Sequence, residues 1–202
     1  MRQTDERPFN NDKEGLNMNG GSMEYERYLN GDDSAFADIV REYGDGLMLY
    51  INSFTHNIHT AEELMEDVFF KLAVKKPRFL KKSGFKTWLY AIGRNAALDY
   101  IRKQSCLSDK PLEEYADLIK DEENVERLYL KEEQRILLHN CIKKLNPEYA
   151  RVLYLVYFEG FDNAQTAQIM KKNKRQTENL IYRAKSALKS RLEKEGFVYE
   201  EL

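Results

Sequence analysis

Apolar residues recur every three or four positions through long stretches of this 202-residue chain, and this spacing limits its fold more than any other feature. Such spacing places apolar side chains on one face of an α-helix. Three successive groups between Glu24 and Leu80 show it, which predicts three helices in that segment. The groups are Phe36, Ile39 and Val40; Leu47, Leu49, Tyr50 and Ile51; and Leu64, Val68, Phe69 and Leu72.

Capping and helix-breaking residues predict where these helices begin and end. Thr60 followed by Glu63 fits a capping box, so the third helix is expected to begin near Ala61. Pro77 is expected to end it. A fourth helix is predicted from about Phe85 to Lys103, and its buried side is expected to carry Leu89, Ile92, Ala96 and Tyr100.

The second half of the chain carries further helix signals. A helix is predicted from about Val125 to Leu145. Asn146-Pro147 is a favourable start for the next helix, which Gly160 is expected to close. The remaining predicted elements are a short helix over 163–170, a turn over 171–173 and a long helix from Lys174 to about Glu195.

The chain is therefore predicted to be all-α, with two small helical domains joined by an acidic, flexible linker. A chain of this length can hold one ordinary domain or two small ones. The boundary is placed in a segment that contains Pro111 and little periodic structure. The predicted division is a disordered tail over 1–22, a first domain over 23–104, the linker over 105–123, a second domain over 124–195 and a C-terminal tail over 196–202.

Charge is unevenly distributed, although the net charge is only −2. Two basic blocks flank an acidic stretch between Asp109 and Glu126, and this pattern suggests two contacts with a polyanion. Solvated helix faces explain charge runs equally well, and composition does not decide between the two. The blocks are Lys71, Lys75, Lys76, Arg78, Lys81, Lys82, Lys86, Arg94, Arg102 and Lys103, and then Lys171, Lys172, Lys174, Arg175, Arg183, Lys185, Lys189 and Arg191.

Several classes of protein are disfavoured. No stretch approaches the roughly 18 to 20 apolar residues of a membrane helix, and Met1–Asp12 lacks the apolar block of a signal peptide, so a cytoplasmic protein is expected. Cys106 and Cys141 are too few for a zinc motif, and the pair His56 and His59 lacks a third ligand. We therefore expect neither a metal site nor a cofactor.

The helices predicted around residue 170 have the pattern of a helix-turn-helix, in which early residues of the second helix reach base edges. Asn173 with Gln176 resembles a capping box at the start of that second helix. Helical hairpins in bundles look similar. Ala164, Ala167 and Met170 are expected to face Ile181, Ala184 and Leu188, which leaves Arg175, Gln176, Asn179 and Arg183 on the outer side.

Polar residues follow a stripe along the fourth helix, beginning at Trp88 and passing through Asn95, Asp99 and Arg102. Steps of three and four residues keep them on one side, where they can face a ligand. Alternatively, Trp88 is a core anchor and Asp99 pairs with Arg102 or Lys103. The two interpretations are compatible.

The segment Phe85–Lys103, FKTWLYAIGRNAALDYIRK, closely resembles the helix with which extracytoplasmic-function sigma factors read and melt the minus-ten promoter element. The spacing of Trp88, Arg94-Asn95, Asp99-Tyr100 and Arg102 carries this match. Segment 61–72 resembles the family helix that docks on the clamp helices of RNA polymerase. Segments 145–160 and 181–192 resemble the domain that reads the minus-thirty-five element.

This resemblance implies an alternative sigma factor that binds core RNA polymerase and promoter DNA, assists melting and performs no catalysis. The two domains would be sigma regions 2 and 4, and an anti-sigma factor is a further candidate partner. The implied polymerase-binding residues are Glu62, Glu63, Leu64, Glu66, Asp67, Phe69 and Phe70. The implied minus-ten residues are Lys76, Arg78, Lys81, Lys82, Lys86, Trp88, Arg94, Asn95, Asp99 and Arg102. The implied minus-thirty-five residues are Lys174, Arg175, Gln176, Asn179, Arg183 and Lys185.

The helix-turn-helix departs from the family pattern at two places. Lys171 and Lys172 stand where the family commonly has glycine and an aliphatic residue. Glu178-Asn179-Leu180 replaces a frequent Lys-Ser-Arg trio. A carboxylate at Glu178 is unfavourable near phosphates, although it could accept a hydrogen bond from a cytosine amine.

Two other functions would account for parts of the sequence. A helix-turn-helix regulator with an N-terminal sensor or dimerisation domain would explain the C-terminal half, but not the motif from Trp88 to Lys103. A nuclease could use Glu62, Glu63, Glu66 and Asp67, yet no convergent acid, base or phosphate loop accompanies them. A helix face explains those carboxylates more simply.

Overall fold

The computed structural model describes residues 20–107 and 137–196. Every regular element in these ranges is helical, which confirms the predicted class. None of these helices is long and apolar enough to cross a membrane. The first region, 20–107, contains α1 (Gly20–Leu29), α2 (Asp33–Thr55), α3 (Ile58–Lys75) and α4 (Phe85–Leu107). The second region, 137–196, contains helical residues 137–143, then α5 (Pro147–Leu153), the π-helical segment Tyr154–Phe158, α6 (Asn163–Met170) and α7 (Lys174–Lys194).

Helix α1 begins inside the tail that was predicted to be disordered. It begins at Gly20, so the prediction is wrong for residues 20–22, while residues 1–19 lie outside the described part of the chain. A Cβ at Gly21 would lie 2.5 Å from the Phe85 ring, so glycine permits the close approach of α1 to α4. Tyr25, which is fully buried, holds α1 in the core.

The apolar groups around Phe36 and Leu47 belong to one helix, α2, rather than to two. Its buried positions continue at helical spacing because Tyr43 and Gly44 fill the step between Ile39 and Leu47. The segment from Glu24 to Leu80 does hold three helices, but the first of them is α1. The predicted division into separate helices was therefore wrong, because Tyr43 was not counted among the apolar positions.

Helix α3 begins three residues earlier than predicted. The side chain of Asn57 caps it by accepting a hydrogen bond from the Thr60 N–H, at 3.1 Å. The capping box of Thr60 with Glu63 is therefore wrong, since Asn57 already provides the acceptor. The helix ends at Lys75, just before Pro77, as predicted.

Helix α4 is longer than predicted and is rotated relative to its expected orientation. It continues to Leu107, so 105–107 are helical, and the rest of the predicted linker lies outside the described residues. A Cβ at Gly93 would lie 2.6 Å from the Leu47 side chain, so α4 crosses α2 closely there. The buried positions are Phe85, Thr87, Leu89, Tyr90, Gly93 and Ala97, whereas the predicted Ile92, Ala96 and Tyr100 are half-buried.

Helices α6 and α7 form the predicted helix-turn-helix. Capping boxes at Asp162 with Gln165, and at Asn173 with Gln176, fix the starts of the two helices, and the second box was predicted. Ala164 is exposed, which corrects its assignment to the contact between the helices. The buried residues of α6 are Thr166, Ala167, Ile169 and Met170.

The two regions pack directly on each other. Helix α4 contacts α6, and α2 contacts α5. Buried residues from both regions, such as Leu47 and Leu155, belong to one continuous core cluster. The sequence predicted a linker between two domains, but it did not predict this contact.

Candidate nucleic-acid and protein interfaces

The basic loop, residues 75–86, is attached to the first region by its backbone and its aromatic residues. The Tyr25 hydroxyl donates to the Pro77 carbonyl oxygen at 2.9 Å. The Lys76 ammonium lies 4.5 Å above the Tyr28 ring, and Lys81 pairs with Glu26. The predicted minus-ten residues Lys76, Arg78, Lys81 and Lys82 are all exposed on this attached loop.

Trp88 anchors an aromatic cluster of the first region, which is one of the two roles that its position suggested. Its ring lies 5.2 to 5.6 Å from the rings of Tyr25, Phe79 and Phe85, so it anchors the start of α4 and the end of the loop. The residue nevertheless remains half-buried rather than buried. A partly exposed indole beside fixed cations can stack on an unpaired base.

The polar stripe on α4 continues from Trp88 to solvent-exposed residues. Asn95 is exposed and Arg94 is half-buried. Asp99 and Arg102 form an ion pair of 2.8 Å, with 61% and 73% of their side chains exposed. An ion pair with this exposure contributes little to stability, so either partner can turn to a ligand at small cost.

The acidic face of α3 consists of Glu62, Glu63, Glu66 and Asp67, all of them exposed. Phe70 is 65% exposed beside this face, and Leu64 is half-buried. Phe69 is different, because its ring is buried and packs edge-on against Phe36. A direct contact between Phe69 and a partner is therefore corrected to a supporting role in the core.

Helix α7 exposes all six predicted minus-thirty-five residues, although three of them already have partners, among them Lys174, which pairs with Glu178 at 4.0 Å. Gln176 accepts the Asn173 N–H through its Oε1, at 3.0 Å, so only its amide nitrogen is left for a base edge. The Lys185 ammonium lies 5.3 Å above the Tyr157 ring. Arg175, Asn179 and Arg183 are exposed on the outer side, as predicted.

Tyr182 is a candidate that the sequence analysis missed. It is 75% exposed and lies three residues after Asn179 and seven after Arg175, on the same side of α7. Helical spacing from Arg175 would have found it. It is suited to an apolar contact with a thymine methyl group.

Lys86 is held by an intramolecular ion pair, which the sequence did not predict. Its ammonium lies 2.9 Å from Glu159 Oε2 and donates to the Glu159 carbonyl oxygen at 2.9 Å. Tyr90 donates to the same carboxylate at 2.6 Å, and Tyr154 does so at 2.9 Å. We call Glu159, Lys86, Tyr90 and Tyr154 the Glu159 cluster.

The Glu159 cluster holds a carboxylate that is ionised although it is largely buried. Its side chain is 11% exposed. Burial alone would raise the pKa of Glu159, but hydrogen bonds from Tyr90 and Lys86 outweigh burial and hold that pKa below its ordinary value. Burial and the Glu159 charge together raise the pKa of Tyr90, so its phenol remains a donor. The charge is thus balanced by Lys86 of the first region, while Tyr90 and Tyr154, one from each region, donate hydrogen bonds to it.

Two family models match separate parts of the chain. The model of sigma-70 region 2 matches residues 39–106, and the model of sigma-70 region 4 matches residues 135–188. The ECF RNA polymerase sigma factor SigW of Bacillus subtilis is 27% identical over 80% of this chain and 91% of its own length. The RNA polymerase sigma-H factor of Pseudomonas aeruginosa is also 27% identical, over 83% of this chain and 91% of its own length.

Solved structures share the fold. CnrH in complex with the cytosolic domain of CnrY matches with a TM-score of 0.60 at 20% identity, over 86% of this chain and 97% of that one. The sigma factor RpoE in complex with the anti-sigma factor NepR from Bartonella quintana also matches with 0.60, at 21% identity, over 77% and 97%. Together with the two family models and the curated relatives, these matches show that the chain belongs to the sigma-70 family, as an alternative sigma factor of the extracytoplasmic-function type that directs promoter-specific transcription initiation.

Proposed function

We propose that this sigma factor contacts its partners through three separate surfaces. The basic loop and α4 contact the minus-ten element, the acidic face of α3 binds core polymerase, and the outer side of α7 reads the minus-thirty-five element. One observation makes the minus-ten assignment the best supported of the three. The aromatic cluster around Trp88 fixes the basic loop at the start of α4, while Asn95 stays exposed on the same helix.

The minus-ten surface is suited to unpaired DNA. Cations of the basic loop, such as Lys82 and Arg78, can follow the phosphate backbone. The exposed part of Trp88 can stack on a base, and the Asn95 amide can bind its edge. This combination supports melting more than it supports recognition of an intact duplex.

The polymerase surface is suited to a basic protein rather than to DNA. Phosphates would repel the four carboxylates of the acidic face, whereas Lys and Arg residues of a protein would attract them. Phe70, which is largely exposed, adds an apolar anchor of the kind that dominates interface energetics. The two contributions together favour a protein partner.

The protein is further proposed to act in the cytoplasm, where transcription takes place, and to perform no catalysis itself. An anti-sigma protein is proposed as an additional partner. The likeness to RpoE, whose structure was solved with the anti-sigma factor NepR, supports that proposal.

Asn95→Ala tests the minus-ten assignment. We expect transcription with core polymerase to fall about tenfold on a duplex promoter and much less on a template that is already unpaired at this element, because the amide acts on melted DNA. Transcript yield on the two templates measures this loss of transcription. Asn140→Ala, which changes an exposed asparagine of the second region, is the matched control and should leave both yields unchanged. An equal loss on both templates by Asn95→Ala would contradict a melting role.

A further inference from the structure

Two tyrosines of α1 supply hydrogen-bond donors to the backbone where α3 ends and the basic loop begins. In a longer helix, the Ala73 carbonyl oxygen would accept from residue 77, but Pro77 has no N–H. The Tyr28 hydroxyl donates to this oxygen instead, at 2.9 Å. The Tyr25 hydroxyl donates to the Pro77 carbonyl oxygen, also at 2.9 Å. The path of the chain out of α3 is therefore fixed from α1.

Both donors are themselves held firmly in the first region. Tyr25 and Tyr28 are buried. The Tyr25 ring lies 5.5 Å from the Phe85 ring and 5.6 Å from the Trp88 ring, at the start of α4. Burial raises the pKa of Tyr25 to about 12, so its phenol keeps the proton that it donates. The basic loop is thus tied, through α1, to the helix that carries the exposed Asn95.

Two lysines of the basic loop turn towards α1. Lys76 and Lys81 both have left-handed backbone conformations, with φ of 41° and 54°, which are unfavourable for residues with a side chain. The Lys76 ammonium lies above the Tyr28 ring, and Lys81 pairs with Glu26. The pair with Glu26 is exposed and adds little stability. We therefore assign the path of the loop to the tyrosines, and only the direction of the Lys81 side chain to Glu26.

The other two cations of the loop face solvent. Arg78 and Lys82 are exposed, and neither of them pairs with a carboxylate or an aromatic ring within the part of the chain that the structure describes. We propose that α1 positions the basic loop for the minus-ten strand, with Tyr25 and Tyr28 as positioning residues. In this assignment, which rests on the proposed function, the two lysines that face α1 hold the loop, and only Arg78 and Lys82 contact phosphates.

A loop that is fixed before binding needs no further ordering when it meets an unpaired strand. If the fixing hydrogen bonds are removed, the loop occupies its binding conformation for a smaller fraction of the time. The apparent affinity for the strand then falls by that fraction, while the contacts made in the complex stay the same. Loss of a positioning residue should therefore differ from loss of a phosphate contact.

The double variant Tyr25→Phe with Tyr28→Phe removes both hydroxyls and keeps both rings. Its matched control is Tyr43→Phe with Tyr50→Phe, which removes two hydroxyls of α2, one beside the start of α1 and one without a hydrogen-bond partner among the described residues. Each full chain is assembled with core polymerase. Fluorescence anisotropy then measures binding to a single-stranded oligonucleotide that carries the minus-ten sequence of a promoter transcribed by the parent. Acrylamide quenching of Trp88 in the free protein reports the loop, which packs on that ring.

We expect Tyr25→Phe with Tyr28→Phe to raise the Kd for the oligonucleotide about fivefold or more, as the loss of two hydrogen bonds allows, and to increase Trp88 quenching. Its affinity for core polymerase should match that of the parent, which a merely destabilised fold would not preserve. An unchanged Kd for the oligonucleotide, or an equal rise in the control, would overturn the positioning role. If the parent binds this oligonucleotide no better than a scrambled one, the proposed minus-ten surface itself fails.

Four single changes sort the cations of the loop in the same assay. Arg78→Met, Lys82→Met, Lys76→Met and Lys81→Met each remove one charge and keep an apolar side chain. The slope of log affinity against log salt should become shallower by about 0.7 for each of the first two, as the loss of one phosphate contact on a single strand requires. The slope should stay unchanged for the other two. A shallower slope for Lys76→Met or Lys81→Met would show that this lysine binds DNA, and would overturn the division of the cations.

Discussion

Lys171 occupies a backbone conformation that glycine usually adopts. It ends α6 with φ of 54°, in the left-handed region, at the turn where related sigma factors commonly have glycine. A side chain in this region costs roughly 1 to 2 kcal/mol. The neighbouring Lys172 compensates in part, since its ammonium pairs with Glu148 of α5 at 2.9 Å. The atypical turn is therefore strained at one lysine and tied down by the other.

Lys171→Gly should raise the free energy of unfolding by about 0.5 to 1 kcal/mol, because relief of strain exceeds the entropic cost of glycine. Urea unfolding measures it. Lys189→Gly is the control of opposite sign, since Lys189 lies in the interior of α7 and glycine there should cost about 0.5 to 1 kcal/mol. Destabilisation by both changes would show that Lys171 is not strained.

The sequence predicted the exposure and capping of single residues best where neighbouring positions in the same helix determine them. The exposed side of α7 and the cap at Asn173 follow from neighbours in the same helix. Glu159 was not predicted, because its partners Lys86 and Tyr90 lie about 70 residues away. Burial of Phe69 beside an exposed Phe70 was also missed, since adjacent phenylalanines give no signal for which one faces the core.

Helix α7 is expected to separate base recognition from phosphate binding along its length. Asn179→Ala should reduce preference at particular base pairs by about 1 to 3 kcal/mol if a bidentate contact is lost. Arg183→Ala should weaken binding to every sequence and lower its salt dependence. A binding series over single-base variants at two salt concentrations distinguishes them. Gln176→Ala is a poorer probe, because it also removes the hydrogen bond from the Asn173 N–H to the Gln176 side chain, which is half of the capping box.

The comparison between Asn179 and Arg183 is internally controlled, since both are exposed on one helix. If both variants lose affinity uniformly, α7 holds the phosphates but does not read bases. If neither variant changes DNA binding, the second region acts through protein contacts.

Charge reversal on the acidic face of α3 should weaken core binding. Glu63→Lys with Asp67→Lys is expected to raise the Kd for core polymerase at least about tenfold, because two attractive contacts become repulsive. Fluorescence anisotropy of the labelled sigma factor measures it. Asp45→Lys, on an exposed position of α2, is the control for altered charge. Equal affinity in the double variant and the parent would remove α3 from the polymerase interface.

Helix boundaries were predicted to within a few residues where capping signals were unambiguous, and less well where packing decided. Helix α4 shows the difference. Its start and type follow from the sequence, but its rotation is fixed by Gly93, which allows α4 to cross against Leu47. The spacing of apolar residues within α4 gives no information about where α2 lies. The same reason explains why the contact between α4 and α6 was not predicted.

The shared core predicts that the two regions unfold together. Trp88, the only tryptophan of the chain, reports the first region by fluorescence, and hydrogen exchange of α7 amides reports the second. We expect coincident urea transitions in the parent and separate ones in Glu159→Gln, because the cluster couples the regions. Separate transitions in the parent would show that the contact between them is too weak to couple unfolding.

The π-helical segment Tyr154–Phe158 lies directly before Glu159 and positions that residue in the Glu159 cluster. In it, the Glu159 N–H bonds to the Tyr154 carbonyl oxygen five residues back, at 3.1 Å. Such a turn holds one residue more than an α-helix over the same rise, and each residue turns a helix by about 100°. Deletion of a single codon inside the segment, for instance that of Val156, would turn this bond into the i to i+4 bond of an ordinary helix and leave Tyr154 and Glu159 close to their present positions. A sigma factor of this architecture could therefore lose or gain one residue here through an in-frame deletion or insertion and still keep the Glu159 cluster.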